Sequence, residues 1–85
     1  MEKWMEELHE QLPEEIEDAA KYMRLSRCAE ADGYPSAAHY LLEIAYDEYT
    51  HADYIRDELT DLGEYKPEEH PDIERKFKIM SDSMR

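Results

Sequence analysis

Between Pro13 and Gly63 this chain is interrupted once, at Asp32-Gly33-Tyr34-Pro35. Glycine and proline are the strongest local breakers of regular structure. The whole sequence holds only two glycines, Gly33 and Gly63, and four prolines, Pro13, Pro35, Pro67 and Pro71. The stretches between them consist of helix formers with apolar residues three and four apart, and none alternates with a period of two for long. The chain is therefore all-α, and its centre is an antiparallel helical hairpin with a tight turn and short flanking helices.

Trp4, Met5, Leu8 and Leu12 form an amphipathic stripe over residues 2–12. Pro13 then either starts a helix, in the first turn where its missing N–H is tolerated, or kinks one longer helix. On the first alternative the first hairpin helix spans residues 13–31, with Ile16, Ala19, Ala20, Met23 and Ser26 facing inward. Gly33 suits the left-handed position that closes a helix, and Pro35 restarts the chain. The second helix covers residues 35–62 and places Ala37, Ala38, Leu41, Leu42, Ile44, Ala45, Ala52, Ile55 and Leu59 on its apolar side. Residues 64–70 form a polar loop. A last helix over residues 72–84 carries Ile73, Phe77, Met80 and Met84 on one side. The unit is one domain, residues 1–85, with its hairpin core at 13–62 and its C-terminal helix at 72–84.

Eighty-five residues bury limited apolar surface, and domains of this size often need a disulfide, a metal or a partner. Cys28 stands alone, so a disulfide framework is excluded. No apolar run approaches the roughly 20 residues that cross a bilayer. The acidic start, Met-Glu-Lys-Trp-Met-Glu-Glu, is unlike a secretory signal, so a cytoplasmic protein is expected. A net charge of -13 argues against nucleic acid and against an anionic membrane surface. A lone hairpin leaves apolar surface uncovered, and pairing two copies into a four-helix bundle removes it. The expected partner is a second copy of the chain, a homodimer at minimum, with a higher oligomer as its extension.

The second helix contains Glu48-Tyr-Thr-His51, a Glu-x-x-His pair whose side chains leave one helical face and can reach one metal. The motif alone is weak, since Glu6 and His9 repeat it. Register strengthens it. Residues level with each other in an antiparallel hairpin have numbers that average to the turn, and the average of 15 and 48 falls between Ala31 and Asp32. Glu15 and Glu48 therefore stand at one height, roughly 24 Å from the turn at the α-helical rise. Glu48 and His51 interrupt an apolar seam of Leu41, Ile44, Ala45, Ala52 and Ile55, and burying an unpaired carboxylate costs several kcal/mol unless something compensates it. Two chains supply four carboxylates and two imidazoles, the complement of a carboxylate-bridged di-iron site in a four-helix bundle. Hard oxygen donors with imidazole suit iron, or manganese as the alternative.

The stretches Glu15-Ile-Glu-Asp-Ala-Ala-Lys-Tyr22, Ala29-Glu-Ala-Asp-Gly33 and Ile44-Ala-Tyr-Asp-Glu48-Tyr-Thr-His51-Ala52 resemble the rubrerythrin branch of the ferritin-like superfamily. The resemblance covers residues 12–62. It implies Glu15 and His51 as terminal ligands and Glu48 as a bridging ligand of a di-iron site shared between two chains. It also implies an added carboxylate at Asp18, here shorter than the family's, and Tyr22 as a hydrogen-bond donor to a ligand. The chain has one hairpin where a full rubrerythrin has two, and a single cysteine cannot build the family's cysteine-ligated iron site. Its architecture is closest to that of encapsulated ferritins, half-bundles that work inside a protein shell. Such a shell, an encapsulin-type nanocompartment, is then a further partner, although Ser81-Asp-Ser-Met-Arg85 is too generic to read as a targeting peptide.

The implied activity is that of a ferroxidase, oxidising Fe(II) at the dimer interface for iron storage or detoxification. A rubrerythrin-like peroxide reductase is the alternative on the same site, and a non-catalytic dimerisation or adaptor module is the alternative without it. The remaining polar and aromatic residues have plainer readings. Glu6 and His9 are expected on the surface, His39 facing outward and His70 solvated in its loop. Cys28 is expected to pack as a small apolar side chain, and Tyr40, Tyr46, Tyr49 and Tyr54 to pack rather than relay electrons. Met80 and Met84 read as an oligomer or hairpin contact.

Overall fold

A computed structural model describes residues 1–84; Arg85, and with it the end of the stretch Ser81-Asp-Ser-Met-Arg85, lies outside the described residues. The described residues form three α-helices and no strand: α1 (Lys3–Ala31), α2 (Pro35–Asp61) and α3 (Pro71–Ser83), with one 3-10 turn at Pro67–Glu69. The all-α class and the long antiparallel pair are as the sequence indicates. The longest dimension, 48 Å, is set by the hairpin.

Pro13 does not start a helix. It lies inside α1, which begins ten residues earlier at Lys3, so the longer of the two alternatives is the one adopted. Proline cannot donate to the carbonyl of His9 and is unfavourable in a helix interior by about 3 kcal/mol. Burial on both sides offsets this, because Leu12 and Ile16 are fully enclosed. Replacing Pro13 with alanine restores the donor and should stabilise the fold by about 1–2 kcal/mol, less than the full propensity difference because the backbone already accommodates the ring. Chemical denaturation of P13A against the wild type checks this; an unchanged midpoint would show that the ring carries no penalty here.

Both hairpin helices end in the same way. Tyr34 N–H reaches the Ala29 carbonyl at 2.9 Å and Gly33 N–H the Glu30 carbonyl at 3.0 Å. Glu64 and Gly63 repeat the pattern on Leu59 and Thr60. This double closure requires a left-handed residue at the glycine, and Gly33 and Gly63 have φ of 88° and 75°.

The hairpin packs on a seven-residue repeat. Leu12, Ile16, Ala19, Met23 and Ser26 are buried from α1, and Ala38, Ala45, Ala52 and Leu59 from α2. Alanine at three of the four buried α2 positions lets the helix backbones approach closely. Ser26, buried near the turn, donates from Oγ to the Ala38 carbonyl at 2.7 Å, which satisfies the one polar side chain in the seam. The apolar side of α2 is broader than the part this chain covers. Ala37 and Ile44 are exposed, and Leu41, Leu42 and Ile55 are only half-buried.

α3 folds back over the hairpin on the side bearing Tyr49, Asp53 and Arg56. Phe77 and Met80 are buried there, with Ile73 and Met84 packed beside them, so the methionine stripe is a hairpin contact. Phe77 sits edge-on to Tyr49 at 5.9 Å and beneath the Arg56 guanidinium at 3.8 Å. Arg56 also bridges Asp53 (3.0 Å) and Glu74 (3.2 Å), and Lys76 pairs with Glu17 across to α1 at 2.8 Å. The expected polar loop hides a core residue: Tyr65 is buried and donates its hydroxyl to Glu74 at 2.7 Å. Burial, followed by that carboxylate, pushes the Tyr65 phenol well above its ordinary value. His70 is not fully solvated either, since its ring stacks on Tyr65 at 4.7 Å.

Candidate metal centre

α1 and α2 bring Glu15, Glu48 and His51 together at the middle of the hairpin. One donor atom from each lies within 4.8 Å of the others. The placement follows from the backbone: the Gly33 turn sets the register, and the i, i+3 spacing puts Glu48 and His51 on one face of α2. Glu15 is largely buried, its side chain 15% exposed, while His51 is open at 58%. Glu48 is half-buried between them. The cluster thus has a protein floor and a solvent side.

Among the described residues its negative charge is compensated only in part. Gln11 Nε2 donates to Glu15 Oε1 at 2.7 Å. Glu15 Oε2 is buried and, among the described residues, has no hydrogen-bond donor; His51 Nδ1 stands 3.9 Å away. The Glu48 carboxyl is pushed up to about 7. The largest cause is the hydrogen bond with Glu15 that a proton on Glu48 creates, followed by burial and then by the charges of Glu15 and Asp18, while His51 acts in the opposite sense. A proton on Glu48 relieves the cluster, and a cation can do the same.

The shift carries a sign that can be measured. A carboxyl held above its ordinary value of 4.5 contributes stability that is complete below that value and lost as pH rises through about 7. The metal-free protein should therefore gain from Glu48→Gln at pH 8 and not at pH 4. Solvent on one side screens the effect to on the order of 1 kcal/mol. Thermal melts of chelator-treated wild type and E48Q at both pH values decide it, and an equal difference at the two would contradict the coupling.

The other singled-out residues fall around this centre. Asp18 is half-buried and close enough to act on Glu48, but it is outside the three-residue group. The Tyr22 ring packs against the core under Lys21 Nζ at 5.0 Å. Among the described residues the donor to Glu15 is Gln11, one helical turn before it, whose role local spacing does not single out. His39 faces outward beside Glu43 and Glu6 is exposed, as expected. His9 differs: it is half-buried, and its Nε2 is enclosed without a partner. Cys28 is exposed rather than packed. Tyr40, Tyr46 and Tyr54 are exposed as well, and only Tyr49 of that set packs inside the chain. Tyr40, Ile44 and Leu62 lie at helical spacing on the same α2 face as Glu48 and His51, so an apolar strip runs through the cluster.

No helix among the described residues is long and apolar enough to cross a membrane. No curated protein and no solved structure matches the chain. A family model does: residues 6–83 match the one described as Rubrerythrin. That match takes in all of the hairpin from Glu6 onward, the glutamates and histidine of the cluster, and α3. The family is one of iron-binding and redox proteins, which the donor set at the centre of this hairpin fits. With the match spanning nearly its whole length, this chain belongs to the rubrerythrin family.

Proposed function

We propose that this protein is a di-iron carboxylate protein that oxidises Fe(II) at the interface of two copies, with Glu15, Glu48 and His51 of each copy as ligands. The observation that carries the reading is the buried, donorless Glu15 Oε2 set against a second carboxylate and an imidazole. Buried carboxylates are normally hydrogen-bonded, and this arrangement gains most from a divalent cation.

One hairpin presents two carboxylates and one imidazole, half of what a di-iron centre in a four-helix bundle uses. Two further features support a second copy. The face around the cluster keeps Tyr40, Ile44 and Leu62 exposed, while α3 covers the other side. Glu48 also lies at the middle of α2, so a two-fold axis over that face sets the clusters of both copies at the same height. The partner's side chains would then close the solvent side of the site.

Two Fe(II) held there would supply one electron each to dioxygen or peroxide. Glu15 and Glu48 would hold them through their carboxylates, Glu48 in its ionised form. His51, the most exposed of the three, would complete the ligand set from the side that faces the second copy. Asp18 adds charge one turn away, and Tyr22 is placed as a packing neighbour of the same face. Iron detoxification or storage is the role this chemistry would serve, in the cytoplasm or within a protein shell. Manganese is the competing metal.

Anaerobic Fe(II) titration followed by oxygen tests the proposal. Saturation at about one iron per chain, together with a dimer by sedimentation, is expected from a shared two-metal site. A monomer that takes up iron without saturation would overturn it.

A further inference from the structure

Glu15 is the most enclosed member of the cluster, and its two oxygens are unequal. Oε1 accepts a hydrogen bond of 2.7 Å from Gln11 Nε2, whereas Oε2 is buried, lacks a donor and faces His51 Nδ1 at 3.9 Å. Carboxylates ligate through one oxygen or through both, and a fixed donor on one of them decides which is free. Gln11 is well placed to act as that donor. It stands one turn before Glu15 on α1, at a spacing where i and i+4 side chains meet. Its own helix is rigid there, because Leu12 and Ile16 on either side of this turn are fully enclosed. A glutamine amide carries no charge, so it orients the carboxylate without competing with a cation as a lysine at the same place would.

We propose that Gln11 is a positioning residue for the metal centre: its hydrogen bond holds Glu15 Oε1 and presents Oε2 alone to the metal. This rests on the reading of Glu15, Glu48 and His51 as a metal site. Without Gln11 the Glu15 carboxylate is free to rotate about its last bond, or to ligate through both oxygens. The change reaches the metal through Glu15, and Gln11 itself touches no metal.

The test uses Co(II) and Mn(II) as probes on the full chain, with binding read by calorimetry and the Co(II) centre by its visible absorption. Gln11 is exposed, so Q11A leaves the core untouched, and circular dichroism confirms an unchanged fold. Loss of this one solvent-exposed hydrogen bond should weaken Mn(II) binding roughly 3- to 10-fold and change the position or intensity of the Co(II) bands. Q11E, of equal length but without a donor at neutral pH, should alter the Co(II) spectrum too, which separates the hydrogen bond from the bulk of the side chain. E48Q runs alongside. If E48Q abolishes binding while Q11A and Q11E reproduce the wild-type affinity and spectrum, the role of Gln11 is overturned and the metal site stands. If E48Q binds both metals as the wild type does, the metal site falls and the role of Gln11 with it.

Discussion

Glu48→Ala should abolish saturable iron binding, lowering affinity by on the order of 100-fold or more. Removing even a supporting residue of a metal site typically costs 10- to 100-fold, and Glu48 is central to this one. It shares the space between Glu15 and His51, and in the proposed pairing of two copies it would lie beside its own counterpart. One substitution would then remove two carboxylates from the shared site. His51→Ala should lose less, because its imidazole is the most exposed of the three donors and water can take its place. The measurement is the anaerobic titration, with the oxo-bridged di-ferric absorption followed after oxygen is admitted. Wild-type uptake by E48A would refute the assignment of the site. A change in fold does not confuse the outcome, since Glu48 is half-buried and its loss removes a repulsion with Glu15 and Asp18.

The second large effect concerns α3. Phe77→Ala should destabilise the protein by about 3–5 kcal/mol, the usual range for a buried phenylalanine. Small domains have only about 5–15 kcal/mol in total, so this variant should be partly unfolded at 37 °C. Phe77 is 3% exposed, packs on Tyr49 and lies beneath Arg56, which is itself held by Asp53 and Glu74. Its removal opens a cavity and uncouples the ion-paired arginine from its apolar support. Phe77→Leu keeps most of the volume and should lose less than half as much. Urea denaturation followed by circular dichroism distinguishes the three proteins. An F77A variant with a wild-type midpoint would mean that α3 is not part of the cooperative core.

The grouping of Glu15, Glu48 and His51 is legible in the sequence itself. Glycine at the turn and the paired numbering of Glu15 and Glu48 placed two carboxylates at one height, and the helical period placed His51 beside them. These are local rules, set by backbone geometry, and they hold wherever the helices form. Gln11 was not legible, because many polar residues stand four positions from an acid and only packing shows which acid is enclosed. His9 and Tyr65 were misjudged for the same reason. Tyr65 sits in a polar run yet is buried and bonded to Glu74 of α3, and His9, between Leu8 and Glu10, is half-buried; neither burial follows from local spacing.

Sequence alone determined the class of the fold, the two helix stops at Gly33 and Gly63, the register of the hairpin and the helical stripe of α3. All of these depend on spacing along one chain. Tertiary structure decided that the first helix runs through Pro13, because burial of Leu12 and Ile16 outweighs one lost hydrogen bond. It decided which part of the wide apolar side of α2 is covered: the alanine line faces α1 because small side chains let the backbones approach, and α3 takes the flank of Tyr49 and Arg56. The strip through Tyr40, Ile44, Glu48 and His51 is left open, since no remaining segment of the described chain reaches it.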